Sequence, residues 1–211
     1  MNSILILDYG LGNLFGLKQA CLAAGLNPII SNDKKKILEA KGLILPGVGA
    51  FGAAMKNLNK LDILNVINNF AKSGKTLLGL CLGMQLLMDK SFEFSENNGL
   101  GLINGEVDYL GKFSQNKQKI KIPHIGWNSA EINQQFKTDK IFRNIPNNFD
   151  VYFVHSFCLK STKKKYILTE TAYENIRFCS GVKKDNIMGF QFHPENSGKT
   201  GIKLLSNIFK N

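Results

Sequence analysis

Two short stretches hold the residues best suited to chemistry. In Gly79-Leu80-Cys81-Leu82-Gly83 a cysteine stands with glycine two positions away on either side. Thr76 to Leu80 is almost wholly apolar, the composition of a buried parallel strand, and Met84 to Met88 begins an apolar helical turn. A strand-to-helix corner of this kind strains its central residue and lifts that side chain out of the sheet, so its neighbours must be small. The following helix aims N–H groups at the same spot, which favours negative charge on sulfur. Cys81 is therefore a candidate nucleophile, set against the bland alternative of a cysteine that only packs.

The second stretch is Gly189-Phe-Gln-Phe-His193-Pro194-Glu195, at the end of an apolar strand. Residues i and i+2 of an extended chain point to the same side, and Pro194 pushes His193 towards extended geometry. Glu195 then lies beside His193 and can accept from one ring nitrogen, leaving the other as a base. With Cys81 this makes nucleophile, base and orienting carboxylate, the logic of thiol-based acyl transfer. His155 is a rival base without an adjacent carboxylate, so a structural role is expected for it.

The elements that must position these residues alternate. Ile4–Leu7, 27–30, 41–45 and Thr76–Leu80 read as strands, with helices over 13–24 and 51–69 between them. That order predicts an α/β fold: an open, mostly parallel twisted sheet with helices on both faces. After Gly99 shorter strands follow at 100–103, 119–122, 151–154, 167–173, 178–182 and 187–192, suggesting a small antiparallel extension, and 198–210 reads as a closing helix. No linker or repeat divides residues 1–211, so one domain is expected.

Composition narrows the classes further. No apolar run approaches the roughly 20 residues of a membrane span, and Ile4–Leu7 is too short for a signal peptide's core, so a cytoplasmic protein is expected. Four scattered cysteines without a C-x-x-C spacing speak against zinc or redox sites, and neither a metal nor a cofactor is expected. The net charge of +11 comes almost entirely from dispersed Lys, with only Arg143 and Arg177 as Arg, a poor match to a nucleic-acid reader. Gly47-Val-Gly49-Ala-Phe-Gly52 spells G-x-G-x-x-G, but the next strand ends at Cys81 instead of an acidic residue. Gly10-Leu-Gly12, with Asp33 beyond, leaves a dinucleotide-binding oxidoreductase as a distant alternative, weakened by Phe15 where close packing needs Gly or Ala.

Six blocks in order carry a resemblance over nearly the whole chain: Asp8-Tyr-Gly-Leu-Gly-Asn-Leu14, Leu45-Pro-Gly-Val-Gly-Ala-Phe51, Gly79 to Leu87, Pro123-His-Ile-Gly-Trp-Asn128, Tyr152-Phe-Val-His-Ser156 and Gln191-Phe-His-Pro-Glu195. Together they resemble class I (triad-type) glutamine amidotransferases, and within them the glutaminase subunits of imidazole glycerol phosphate synthesis. The resemblance implies that Cys81 attacks the side-chain amide of L-glutamine, His193 shuttles the proton and Glu195 holds His193. It implies an oxyanion site at Val48, Gly49 and Leu82, and places Gln85, Glu93, Ser156 and Phe157 around the substrate's amino and carboxylate ends. His124, Trp127 and Asn128, with Asn196, match a partner-facing block. The implied partner is a (β/α)8-barrel cyclase, docked as a heterodimer, which would take the ammonia and make imidazole glycerol phosphate in histidine biosynthesis.

Two departures keep an alternative open. Asn196 stands where the family usually has a Lys that pairs with a carboxylate on the barrel. In addition, 178–191 resembles a paralogous branch that feeds ammonia to sugar amidotransferases of surface-polysaccharide assembly.

Overall fold

Five apolar runs form the parallel heart of the sheet in a computed structural model that describes residues 3–114 and 119–210. Numbered in chain order, they are β1 (Ile4–Leu7), β2 (Pro28–Ser31), β3 (Gly42–Leu45), β4 (Thr76–Leu80) and β13 (Ile187–Phe190), arranged β2-β1-β3-β4-β13. Adjacent strands in this set are parallel throughout. Strand alternation sorts the core into two layers. Ile4, Ile6, Ile44 and Leu78 join Leu17, Cys21, Leu204 and Leu205 on one face, beneath helices α1 (Leu14–Ala23) and α6 (Gly198–Lys210). Leu5, Leu7, Leu43 and Leu77 join Phe51, Leu58, Ile67 and Phe70 on the other. That second face lies under α3 (Phe51–Lys60) and α4 (Leu64–Lys72), and α2 (Lys34–Glu39) joins it through Ile37.

Beyond β13 the sheet turns antiparallel. It continues through β12 (Ile176–Lys184), β10 (Phe157–Thr162) and β7 (Gly105–Tyr109) to the two-residue pieces β5 (Lys90–Ser91), which runs parallel to β7, and β6 (Asn97–Asn98). A branch of β11 (Ile167–Tyr173), β8 (His124–Ile132) and β9 (Asn148–His155) folds from β12 back over the end of the parallel strands. The main-chain N–H of His193 donates to Tyr152 O at 2.9 Å, which fastens this branch to the tail of β13. The expected fold class therefore holds.

Several local expectations do not. The helix expected over 51–69 is two helices, broken where Asp62 adopts φ 51° and accepts from Lys34 Nζ at 2.6 Å. The strands expected at 100–103 and 119–122 are irregular. Leu102 and Ile103 spend their N–H groups on Leu87 O, and Lys121 N–H turns to the Glu174 carboxylate. Asp33, the acidic residue of the dinucleotide alternative, caps α2 by accepting from Lys36 N–H at 2.8 Å.

Candidate active site

Cys81 sits at the corner between β4 and the short helix α5 (Leu82–Leu86), with φ 52° and ψ −111°. For a residue with a side chain that conformation costs about 1–3 kcal/mol. Burial of Leu80 and Leu82, 2% and 3% exposed, returns about 1.5–3 kcal/mol each and holds the turn in place. Both flanking glycines are required by space. A Cβ on Gly83 would lie 1.8 Å from Leu45 O, and one on Gly79 would lie 2.6 Å from Gly83 O. The main chain of Cys81 is anchored by donation to Phe190 O at 2.7 Å.

The in-register pairing of Phe190 with Leu80 carries the continuation of β13 past this corner. His193 and Glu195 arrive side by side, Nδ1 to Oε1 2.8 Å, each side chain 6% exposed. His193 Nε2 is buried without a hydrogen-bond partner and shares a cavity with Cys81. Burial disfavours the charged imidazole, but Cys81 and Glu195 outweigh it and push His193 up to about 10. Ser197 pins the assembly by donating to His193 O at 2.6 Å and accepting from Tyr152 N–H at 3.0 Å.

The cavity holds about 360 Å³, enough for a small amino acid, and its wall includes Val48, Gly49, Leu82, Gln85, Glu93 and the segment from Val154 to Phe157. The Val48–Gly49 segment lies opposite the corner, tied down by Tyr9 Oη donating to Pro46 O at 2.7 Å. Gly49 has φ 99°, a conformation that side chains rarely adopt, and a Cβ built on it would meet nothing within 4 Å. Gln85 Nε2 donates to Phe157 O at 2.9 Å and to Gln191 Oε1 at 3.0 Å. Burial raises the proton affinity of Glu93, opposed by the N–H of Phe51, which donates to Oε2 at 2.6 Å. All of the residues expected at the catalytic, oxyanion and substrate positions thus border this one cleft or the imidazole beside it.

The expected partner-facing set divides. Trp127 is 59% exposed, Asn196 is exposed and Asn128 half-buried, whereas His124 is buried at 2%. Its ring stacks on Tyr173 with centroids 3.9 Å apart, covered by β11 and β12, so it presents nothing to a docking surface. Sequence reasoning also passed over Gln191, fully buried, whose Nε2 lies 3.7 Å from Cys81 Sγ. Its signal was available: Gln191 and His193 are i and i+2 on one strand end. Among the described residues no cluster of His, Cys, Asp or Glu is placed to hold a metal, and no helix is long and apolar enough to cross a membrane.

This architecture is shared with solved structures described as a glutamine amidotransferase (TM-score 0.72, 16% identity, covering 97% of this chain and 98% of that one). A chain of PurLQS from Thermotoga maritima is equally close in fold (TM-score 0.72, 20% identity, 100% and 99% covered). The chain belongs to the class-I glutamine amidotransferase family, whose sequence profile matches residues 5–211. Within it, the chain is 44% identical over 204 residues to the imidazole glycerol phosphate synthase subunit HisH of Aquifex aeolicus, covering 96% of this chain and 94% of that protein. The HisH subunit of Methanosarcina barkeri is 46% identical over 210 residues, covering 99% and 98%. HisH 1 of Legionella pneumophila strain Lens is 41% identical over both full lengths.

Proposed function

We propose that residues 1–211 act as one glutamine amidotransferase domain, the glutaminase subunit of an imidazole glycerol phosphate synthase in histidine biosynthesis. The observation that carries this reading is the convergence of Cys81 and the His193–Glu195 pair on a cleft large enough for glutamine. His193 Nε2 takes the proton of Cys81, and the sulfur attacks the glutamine side-chain carbonyl. The N–H of Leu82, with one from the Val48–Gly49 segment, receives the negative oxygen; losing one such donor typically costs about 10²–10³ in rate. His193 returns its proton to the leaving nitrogen, ammonia departs and a thioester remains. Water attacks that thioester with His193 again as base, releasing glutamate and restoring the thiol. Gln85, Glu93 and the main chain of Ser156 and Phe157 hold the amino-acid end of the substrate.

Ammonia released into water is protonated and lost as a nucleophile, so the reading includes a docked barrel cyclase as partner and a cytoplasmic setting. Ile125, Trp127 and Val154 form an exposed apolar patch at the rim of the cleft, 58%, 59% and 39% exposed, suited to that contact. The exposed Asn196 stands two residues before Gly198, whose built Cβ would lie 3.8 Å from the Trp127 ring, so this contact is made without the ion pair a Lys would supply. Cys81→Ala in the assembled synthase tests the proposal. Glutamine-dependent synthesis should vanish while added ammonium salt still supports it; equal loss with both nitrogen sources, or retained glutamine turnover, refutes the assignment.

A further inference from the structure

Two buried histidines take no part in those steps, yet their hydrogen bonds fix where each proton sits. His155 Nδ1 lies 3.0 Å from Phe157 O, which can only accept, so Nδ1 carries the proton. The neutral ring then has a bare Nε2, and His124 Nδ1, 3.1 Å away, must donate to it. His124 Nε2 is bare in turn and faces Asn128 Nδ2 at 3.4 Å. The Asn128 amide cannot turn round, because Ser129 N–H donates to its Oδ1 at 2.7 Å and its Nδ2 donates to Ala172 O at 2.9 Å. Burial holds both rings neutral, lowering His124 to about 4. For His155, burial and then the neighbouring His124 outweigh the bond to Phe157 O and leave it at about 3.

The row of donors ends where the cleft begins. Phe157 O also receives Gln85 Nε2, which reaches Gln191 Oε1, and Gln191 Nε2 points at Cys81 Sγ. His124 cannot swing aside, since its ring is stacked between Tyr173 and Phe153 with centroids at 3.9 and 4.7 Å. His124 and Asn128 touch neither the sulfur nor the cleft, whereas His155 lines it.

We infer that His124 and Asn128 are positioning residues for the glutamine pocket, acting through His155 to hold the Phe157 carbonyl, Gln85 and the Ser156–Phe157 main chain at the spacing the substrate needs. The inference rests on the glutaminase reading. An ordinary packed pair would tolerate removal of its nitrogens if ring shape were kept; a directed row of donors does not.

The test uses the full chain assembled with its synthase partner. His124→Phe keeps the stacked ring and removes both nitrogens, and His124→Asn restores a donor at the place of Nδ1. Each lost hydrogen bond should raise the glutamine KM about threefold to tenfold in His124→Phe, with kcat within about twofold. His124→Asn should recover most of that loss. Asn128→Ala, at a half-buried site, should raise KM by a smaller factor and serves if His124→Phe does not fold. Nitrogen-15 NMR of the wild type should show both rings protonated at Nδ1 and bare at Nε2. Protons on Nε2, an unchanged KM in His124→Phe and Asn128→Ala, or equal losses in His124→Phe and His124→Asn would overturn the inference. A wild type that turns over glutamine beside unaffected variants leaves the glutaminase reading standing, whereas a wild type inert towards glutamine removes both.

Discussion

Glu195→Gln removes one charge and almost no volume from a contact that is 2.8 Å long and 6% exposed on both sides. A hydrogen bond to a charged partner contributes about 1.5–3 kcal/mol against about 1 for a neutral pair, so the variant forfeits roughly 1–2 kcal/mol whenever the ring is protonated. At about 1.4 kcal/mol per unit, His193 should titrate about one unit lower. Since burial pulls this imidazole down and Cys81 and Glu195 together push it up to about 10, removing one supporting charge moves it back towards 6.5. The stability it contributes is complete below 6.5 and is lost as pH rises through about 10, so the variant's alkaline loss begins earlier. In the mechanism proposed above, the His193 imidazolium that holds the thiol proton loses the same support, so turnover should fall about 5–30-fold. Should the new amide turn its N–H towards Nδ1, the ring proton moves to Nε2 and blocks the base; a triad carboxylate changed to amide in this way loses about 10⁴. Glutamine hydrolysis by the assembled complex, with an NMR titration of His193, reads both effects. Turnover within twofold of wild type at every pH, with an unmoved titration, would refute the reasoning.

Gly83→Ala forces a Cβ to within 1.8 Å of Leu45 O, a backbone atom with nowhere to go, so β3 or α5 must shift. Overpacking of this severity should cost about 3 kcal/mol in urea unfolding, and a loss below about 0.5 kcal/mol would contradict the close approach. The His124–His155 pair makes the fold acid-sensitive. Both rings are neutral when folded, with values lowered from 6.5 to about 4 and about 3, so their stabilisation is present above 6.5 and fades as pH falls through that window. At about pH 5 each ring withholds a proton the unfolded chain has taken, a loss of about 2 kcal/mol apiece. His124→Phe should flatten that decline by about half, and a urea midpoint unchanged on acidification would count against it.

What the sequence makes legible is local. The corner at Cys81 is visible because Gly79 and Gly83 bracket one residue between an apolar strand and a helix, and both glycines prove to be demanded by neighbours within 3 Å. The His193–Glu195 contact is visible because strand parity and Pro194 fix it within three residues. The break between α3 and α4 leaves no mark, since Leu61-Asp62-Ile63 contains neither Gly nor Pro and Asp62 takes positive φ without them. The strand from His124 to Ile132 escapes notice for another reason. Gly126, Asn128 and Ser129 interrupt its apolar pattern, and its pairing partners, β9 and β11, lie well downstream in sequence.

That strand also shows why a block read as a single surface divides into two. On β8 the side chains of Ile125 and Trp127 face outward, opposite Val154 and Tyr152 of β9. His124 pairs with His155, and both point inward, as Asn128 does in reaching His124 Nε2. Period-two alternation therefore gives one strand two duties. Its outer side offers apolar surface at the rim of the cleft, and its inner side reaches the Phe157 carbonyl through two rings of fixed tautomer. A change that shifts β8 along β9 by one residue would exchange these faces, exposing His124 and burying Trp127. The stacking of His124 on Phe153 and Tyr173 resists that slip, because it would unstack the ring from both neighbours and break its hydrogen bond to His155.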